Sequence, residues 1–448
     1  MKTKTLFLMI FASVLVGADF QYGGEIYPLL RWQWHDQSEL ELPFRAMNVN
    51  LDLAHGNWEW KTSAAIESRW QDYQSSKATI RESYLQWFPR FGDLRIGRQI
   101  LVWGYADQNN PTDNINPFDF YYLFETGIER KKALWSGACT FNLEKIIIEG
   151  IVNFEHQPHT FPLNEADFPI NLPKASPAAL PMTINPFEEA LAPESPQEYG
   201  LRLRGKILES DFSVSYFSGF DRIPQLLAIE SSATSFPPLK ATFAYRKTEV
   251  FGLDFFRFWG DIILRGEGAL YLTKNSLSGE RAIDWDGRYL QYVLQAEYTA
   301  PADIMLTAQY MGKKILKAQG FALPADFDPA DLMNPATLEE TVDKLRKARD
   351  LGEDFLPGMG LPFLGFMKQA ISLSASRWWL NDCLESKAMT MISGDAEGAL
   401  LGLSLDYILN DHFLLKGAIS QFQGWKSDSF FKNMKNFSHI SLGLEFSF

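Results

Sequence analysis

Residues 437–448 read FSHISLGLEFSF and alternate without interruption. Ile440, Leu442, Leu444, Phe446 and Phe448 share one face, while Ser441, Gly443, Glu445 and Ser447 share the other. Successive strand side chains point to opposite faces, so this strand is apolar on one side and small or polar on the other. The pattern recurs upstream. Met47, Val49, Leu51 and Leu53 alternate with Asn48, Asn50 and Asp52, and Leu201 and Leu203 with Arg202, Arg204 and Lys206. Ile262, Leu264, Gly266 and Gly268 enclose Arg265 and Glu267; Leu290, Tyr292, Leu294 and Ala296 alternate with Gln291, Gln295 and Glu297; Leu403 and Leu405 enclose Ser404, with Asp406 following. In a soluble sandwich the polar face meets solvent, and in a membrane barrel it lines the lumen while the apolar face meets lipid.

The N-terminus favours the barrel. Lys2 and Lys4 precede the apolar run Leu6 to Val16, and Val16-Gly17-Ala18 offers small residues for cleavage. Residues 1–18 therefore read as a secretory signal peptide and 19–448 as the exported body. No later stretch approaches the ~18 uninterrupted apolar residues of a membrane helix, so membrane contact falls to strands. A terminal aromatic, Phe448, on an alternating strand has the form of the sorting signal of Gram-negative outer-membrane barrels. The formal charge of −13 argues against nucleic acid as a partner, and two cysteines exclude a disulfide scaffold.

Short turns, such as 55–57, 89–92, 209–210, 259–260 and 301–302, alternate with much longer connections, as the periplasmic turns and outer loops of outer-membrane barrels do. Strands are expected at 23–33, 45–54, 58–68, 79–88, 93–103, 131–141, 144–154, 198–207, 211–219, 248–258, 261–272, 288–298, 303–312, 367–379, 384–393, 398–408, 412–423 and 437–448. The fold class is all-β, a transmembrane antiparallel up-and-down barrel of about 18 strands, with 16 the alternative. Aromatics near strand ends, among them Trp58, Trp87, Trp103, Trp259 and Trp379, suit interfacial girdles. Strict alternation aims Arg98 at lipid; a bulge at Gly97 would turn it inward, and snorkelling near an interface is the alternative.

Three long loops carry the remaining signals. Residues 104–130 hold Asp107, Asn109, Asp113, Asn114, Asn116 and Asp119. That many oxygens suits either a self-hydrogen-bonded turn network or calcium, the one cofactor considered. Residues 155–197 contain nine prolines, and Glu155, His156 and His159 are too few ligands to specify a metal. Residues 313–366 contain an N-cap signature, Thr337 with Glu340, ahead of an apolar stripe at Val342, Leu345 and Leu351. The apolar segment 356–365 that follows is read as a plug, a lipopolysaccharide contact, a greasy substrate site, or a loop packed on itself.

Leu94 to Gln99, Trp103-Gly104, Asp113, Asn116-Pro117, Asp119 and Arg130-Lys131 resemble a GRQ…WG…NPxD motif of porin-like Gram-negative outer-membrane barrels. Gly97-Arg98-Gln99 is also similar to the alginate-export type of porin. The resemblance covers about forty residues and implies transport across the outer membrane, without carrying over an alginate site. Candidate pore-lining residues are Arg95, Arg98, Arg202, Arg204, Lys206, Arg265, Glu267, Glu297 and Asp406, with basic and acidic residues facing each other across the lumen. The leading function is a channel for small solutes. A surface-binding or structural barrel and a hydrophobic-substrate transporter with a side exit are the alternatives. An outer-membrane hydrolase is disfavoured, since no G-x-S-x-G is present and no catalytic residue is assigned. Expected partners are outer-membrane lipid, lipopolysaccharide, the barrel-assembly machinery and an unidentified small solute.

Overall fold

Each alternating segment pairs antiparallel with the next in sequence, until the last meets the first. The computed structural model describes residues 18–107, 109–163, 165, 167–168, 186–232, 238–427 and 429–448, so the expected signal peptide lies almost wholly outside the described residues. The strands are β1 (Asp19–Ile26), β2 (Leu29–Gln33), β3 (Phe44–His55), β4 (Trp58–Ser68), β5 (Lys77–Trp87), β6 (Gly92–Gln99), β7 (Leu134–Asn142), β8 (Ile146–Asn153), β9 (Glu198–Ile207) and β10 (Ser210–Phe220). A loop hairpin, β11 (Gln225–Ser231) and β12 (Leu239–Ala244), intervenes before β13 (Lys247–Trp259), β14 (Ile262–Lys274), β15 (Asp286–Ala300) and β16 (Ile304–Gly320). After the two-residue β17 (Arg349–Asp350) come β18 (Gln369–Trp379), β19 (Leu384–Ser393), β20 (Gly398–Asn410), β21 (Phe413–Gly424) and β22 (His439–Ser447). With β1 and β2 counted as one strand and the loop strands set aside, the closed barrel has 18 strands.

Closure runs along one register. Ile26 faces Phe446 and Leu29 faces Gly443, so β1 and β2 are one strand interrupted at Pro28, which has no N–H to give. The expected strand 23–33 is thereby extended to Asp19 and broken in its middle. Leu201, Leu203, Leu403, Leu405, Leu442 and Leu444 are exposed on the outside, as the alternation requires. At the short-turn rim Trp58 stacks on Trp87 at 5.4 Å and Phe91 on Phe141 at 5.0 Å, aromatic pairs suited to an interface that is wet on one side and greasy on the other.

Several boundaries move. β6 stops at Gln99 rather than 103, and Trp103 leaves the expected girdle to be buried inside, its Nε1 donating to Glu149 Oε2 at 3.1 Å. β16 continues to Gly320, past a bulge that makes Leu316 an extra residue, so the third long connection starts later than 313. Gly97 carries no bulge, since its register with β5 and β7 is unbroken. It has φ +142°, and a Cβ there would lie 2.4 Å from Ser83 O, so the position requires glycine. Arg98 therefore keeps the outward parity of Ile96, opposite the exposed Trp135. In this part of the wall the bulges lie instead at Ala46 on β3 and Arg81 on β5.

Candidate functional site

The residues after β6 leave the wall and cross the lumen. Leu101 N donates to Asn116 Oδ1 at 2.8 Å, and Asn116 Nδ2 donates to Lys132 O at 2.9 Å, which ties the base of the loop. Lys132 N closes on Pro117 O at 2.9 Å. The loop then fastens to the far wall. Glu267 Oε1 accepts from Tyr105 N (2.6 Å), Ala106 N (2.7 Å) and Asn110 Nδ2 (2.8 Å), and Oε2 from Thr112 Oγ1 (2.8 Å). Gly104 has φ +100°, and a Cβ there would meet Glu267 Oε1 at 2.4 Å, so only glycine lets the backbone approach this carboxylate. Asp107 accepts from Arg265 Nη1 at 2.6 Å and from Gln295 Nε2 at 2.9 Å, and Tyr271 Oη donates to Pro111 O at 2.5 Å.

Most of the loop oxygens are engaged by the protein's own donors, while Asn109 Oδ1 and Asp113 Oδ1 are buried without a hydrogen-bond partner among the described residues. Asp113 holds the Lys131 ammonium and Asp119 Oδ1 accepts from Tyr121 N at 3.1 Å. Among the described residues no group of three or more His, Cys, Asp or Glu side chains is placed to hold a metal ion.

Among the described residues two chambers flank the loop. One of about 430 Å³ is bounded by Tyr105, Asp107, Arg130, Lys131 and Arg265, and another of about 510 Å³ runs from Asp107 and Arg130 to Glu385, Lys387 and Asp406. Asp107 and Arg130 border both chambers. Arg130 is 5% exposed, with no side-chain hydrogen bond to any described residue and a buried Nε. Burial pushes its guanidinium down to about 10, with Asp113 pulling the other way.

Several wall charges are neutralised by close neighbours rather than across the lumen. Arg95 lies 3.3 Å from Asp93, Arg265 lies 3.0 Å from Glu297, and Lys416 lies 2.6 Å from Glu445. The expected basic row of β9 is graded along its length. Arg202 is buried, donating to Asp254 Oδ1 and Ser213 Oγ at 2.9 Å, so its counter-charge comes from β13, two strands along the wall, and not from Glu267, Glu297 or Asp406. Arg204 has a buried Nε without a partner among the described residues, and Lys206 is 3.7 Å from Asp211 at the exposed rim. Arg98 faces a notch in the wall instead of the lumen.

A second layer covers the outer mouth. The helix Leu338–Arg346 packs Val342 and Leu345 with Leu227 and Ile229 of β11 in one buried cluster. Thr337 precedes the helix but makes no capping bond, because its hydroxyl donates to Asp331 O at 2.9 Å. Residues 356–365 lie buried in the mouth. Leu361 N donates to Gln291 Oε1 at 2.7 Å, and Arg246 Nη2 donates to Leu356 O at 2.9 Å. Beside them His159 Nδ1 accepts from Phe118 N at 2.9 Å. Burial, reinforced by Arg222 and Lys132, pushes His159 well below 6.5.

The model of the DUF1302 family, described as a protein of unknown function, matches residues 42–271, just over half of the chain. No curated protein matches. Among solved structures the chain is similar to OccAB3 of Acinetobacter baumannii, at 8% identity over 97% of this chain and 100% of that one, with a TM-score of 0.51. OccK2 (OpdF) of Pseudomonas aeruginosa aligns at 11% identity over 97% and 98% of the two chains, with a TM-score of 0.49. OmpT, an outer membrane protein of Vibrio cholerae, aligns at 7% over 96% and 98%, with a TM-score of 0.42. At such identity the likeness to OccAB3 speaks to fold alone. A closed barrel of this kind, apolar outside, belongs in the outer membrane of a Gram-negative bacterium. The chain is a member of the DUF1302 family.

Proposed function

We propose that the protein is a selective channel that carries small polar solutes across the outer membrane. The loop held by Glu267 carries the proposal, because it converts a wide barrel into two chambers that meet beside an unpaired guanidinium. Eighteen strands enclose room for an aqueous path. An inward loop narrows that room to a scale at which single side chains discriminate solutes. Several wall charges cancel locally, and the buried Arg130, which borders both chambers without a side-chain hydrogen bond to any described residue, is the positive group that selects small anions over a long polyanion such as alginate. No enzymatic step is part of the proposal. Its partners are the lipid and lipopolysaccharide around the apolar belt and the barrel-assembly machinery.

Single-channel recording in planar bilayers tests it. Discrete conductance with anion preference is expected, and Arg130→Gln should reduce that preference most at low salt, where screening is weakest. A barrel that is fully assembled and conducts nothing overturns the channel.

A further inference from the structure

The wall itself is incomplete on one side. β6 pairs with β5 only from Ser83↔Arg98 to Trp87↔Leu94, so the edge of β5 over residues 77–82 has no strand partner on that side among the described residues. Beyond Gln99 the chain turns inward, Ile100 N donating to Glu82 Oε1 at 2.7 Å. β6 and β8 have eight residues each, against 17 in β16. Eight residues span about 26 Å of strand. Tilted by about 40° they rise roughly 20 Å, less than the ~25 Å apolar band of an outer-membrane barrel. A notch of about 380 Å³ opens at this low point, on the side of the long loops and hence of the outer leaflet.

The notch is basic in a chain of formal charge −13. Some of its cations are already matched. The bulges at Ala46 and Arg81 bring Arg45 and Arg81 onto one carboxylate, Glu129, at 2.5 and 2.7 Å. Two cations are left over. Arg98 makes no side-chain hydrogen bond or ion pair with any described residue, and its Nε is buried. Lys132 gives its ammonium only to a carbonyl, Pro158 O, at 3.1 Å. Burial pushes Lys132 down, and Arg222, Arg98 and Lys77 add to that push against Asp119. Two positive groups with vacant donors, lining one notch, form a seat for an anion.

The surroundings say what kind of anion. On the lipid side Ile80, Ile96 and Trp135 are each more than half exposed. On the inner side stands the short helix Gly127–Arg130, latched through Glu129 and ending in the arginine that faces both chambers. Lys131 lines the notch and the nearer chamber alike.

We propose that this notch is a lateral port: Arg98 and Lys132 bind the anionic head of an acyl-chain amphiphile from the outer leaflet, its chain lies along Ile80, Ile96 and Trp135, and the head passes by Lys131 into the lumen. The passage rests on the channel function proposed above, whereas the binding does not. The full-length protein in phosphatidylcholine nanodiscs is titrated with 11-bromoundecyl phosphate, whose bromine quenches nearby tryptophan, and the Trp135→Phe variant isolates the Trp135 signal. Saturable quenching is expected, with inorganic phosphate a poor competitor and the uncharged 11-bromoundecyl maltoside not saturating. Arg98→Gln and Lys132→Gln should each weaken binding about tenfold. Arg98→Lys should retain most of the binding, and conductance and heat-modifiability should be unchanged in all three. Equal binding of the neutral head, or no change in both Gln variants, overturns the site. In nanodiscs containing lipopolysaccharide the bromo-phosphate should still enter. If it does not, resident lipopolysaccharide is the occupant and the port is overturned. Loss of conductance with binding intact refutes the channel function alone.

Discussion

Glu267 joins the wall to a loop more than 150 positions away in sequence, and its carboxylate is the loop's main tether. Glu267→Ala leaves Tyr105 N, Ala106 N and Asn110 Nδ2 without their acceptor, a loss of roughly 3 kcal/mol or more for buried donors. The loop is expected to swing from the lumen and single-channel conductance to rise. Glu267→Gln keeps one acceptor oxygen for the backbone amides, and Thr112 can turn its hydroxyl to accept from the new amide, so its effect should be smaller. Equal conductance in wild type and Glu267→Ala would show that the loop is held by its other bonds. The face of Glu267 is legible in the sequence, since Leu264, Gly266 and Gly268 flank it in alternation. Its partner is not, because period two reports a face and says nothing of what crosses the lumen to meet it. The same limit explains Arg202. Its inward direction follows from Leu201 and Leu203, but Asp254 on β13, two strands away, supplies its counter-charge.

At the scale of elements, the turn between β9 and β10 is strained. Leu208 and Glu209 both have positive φ, 49° and 64°, a conformation that suits Asn-Gly and disfavours β-carbons. Leu208→Asn with Glu209→Gly should stabilise the barrel by about 1–2 kcal/mol, read as a higher unfolding midpoint in urea. An unmoved midpoint would mean that the flanking strands absorb the strain. The outer layer should respond to pH. His159 is neutral in place, accepting from Phe118 N, and its folded value is pushed well below 6.5. A released loop returns His159 to its ordinary value and so binds the proton more readily. The layer's stability is then full above 6.5 and falls as pH drops below 6.5 toward the folded value. Protease cleavage in residues 155–163 should rise over that window, and His159→Asn should remove the step. Strand positions were readable where one face meets lipid and the other the lumen. The hairpin β11–β12 escaped because Leu226, Leu227 and Ile229 are buried, under the helix Leu338–Arg346 and the mouth, which erases alternation. The extension of β16 escaped because Lys313-Lys314 interrupts the pattern and the bulge at Leu316 then shifts its parity.

For the whole molecule, a barrel is stable in lipid only when no edge remains, so the seam between first and last strands carries the closure. Phe448 lies at its end: its N–H donates to Gly24 O at 3.0 Å, and its carbonyl accepts from Gly24 N at 3.1 Å. Its ring stacks near Phe446 at 6.2 Å and covers Gly24, where a Cβ would come within 2.8 Å of the ring and 2.3 Å of Asn48 O. Deleting Phe448 removes two backbone bonds, roughly 2 kcal/mol at equilibrium. That is small beside a wall whose first strand still pairs with β22 from Glu25 to Gln33. Equilibrium stability in detergent should therefore fall only slightly, with the refolded protein still migrating as a heat-modifiable barrel. Assembly in the cell is a different matter, because the seam must be found before it can be held. The truncated chain should accumulate in the periplasm, and Phe448→Tyr, which keeps the ring and both backbone bonds, should restore it to the membrane fraction. Gly24→Ala keeps Phe448 but crowds it, so it should weaken the seam in detergent as well as in cells. If the truncated chain reaches the membrane as efficiently as wild type, the pairing of β22 with β1 and β2 is specified by its interior residues and the terminal aromatic is dispensable for closure.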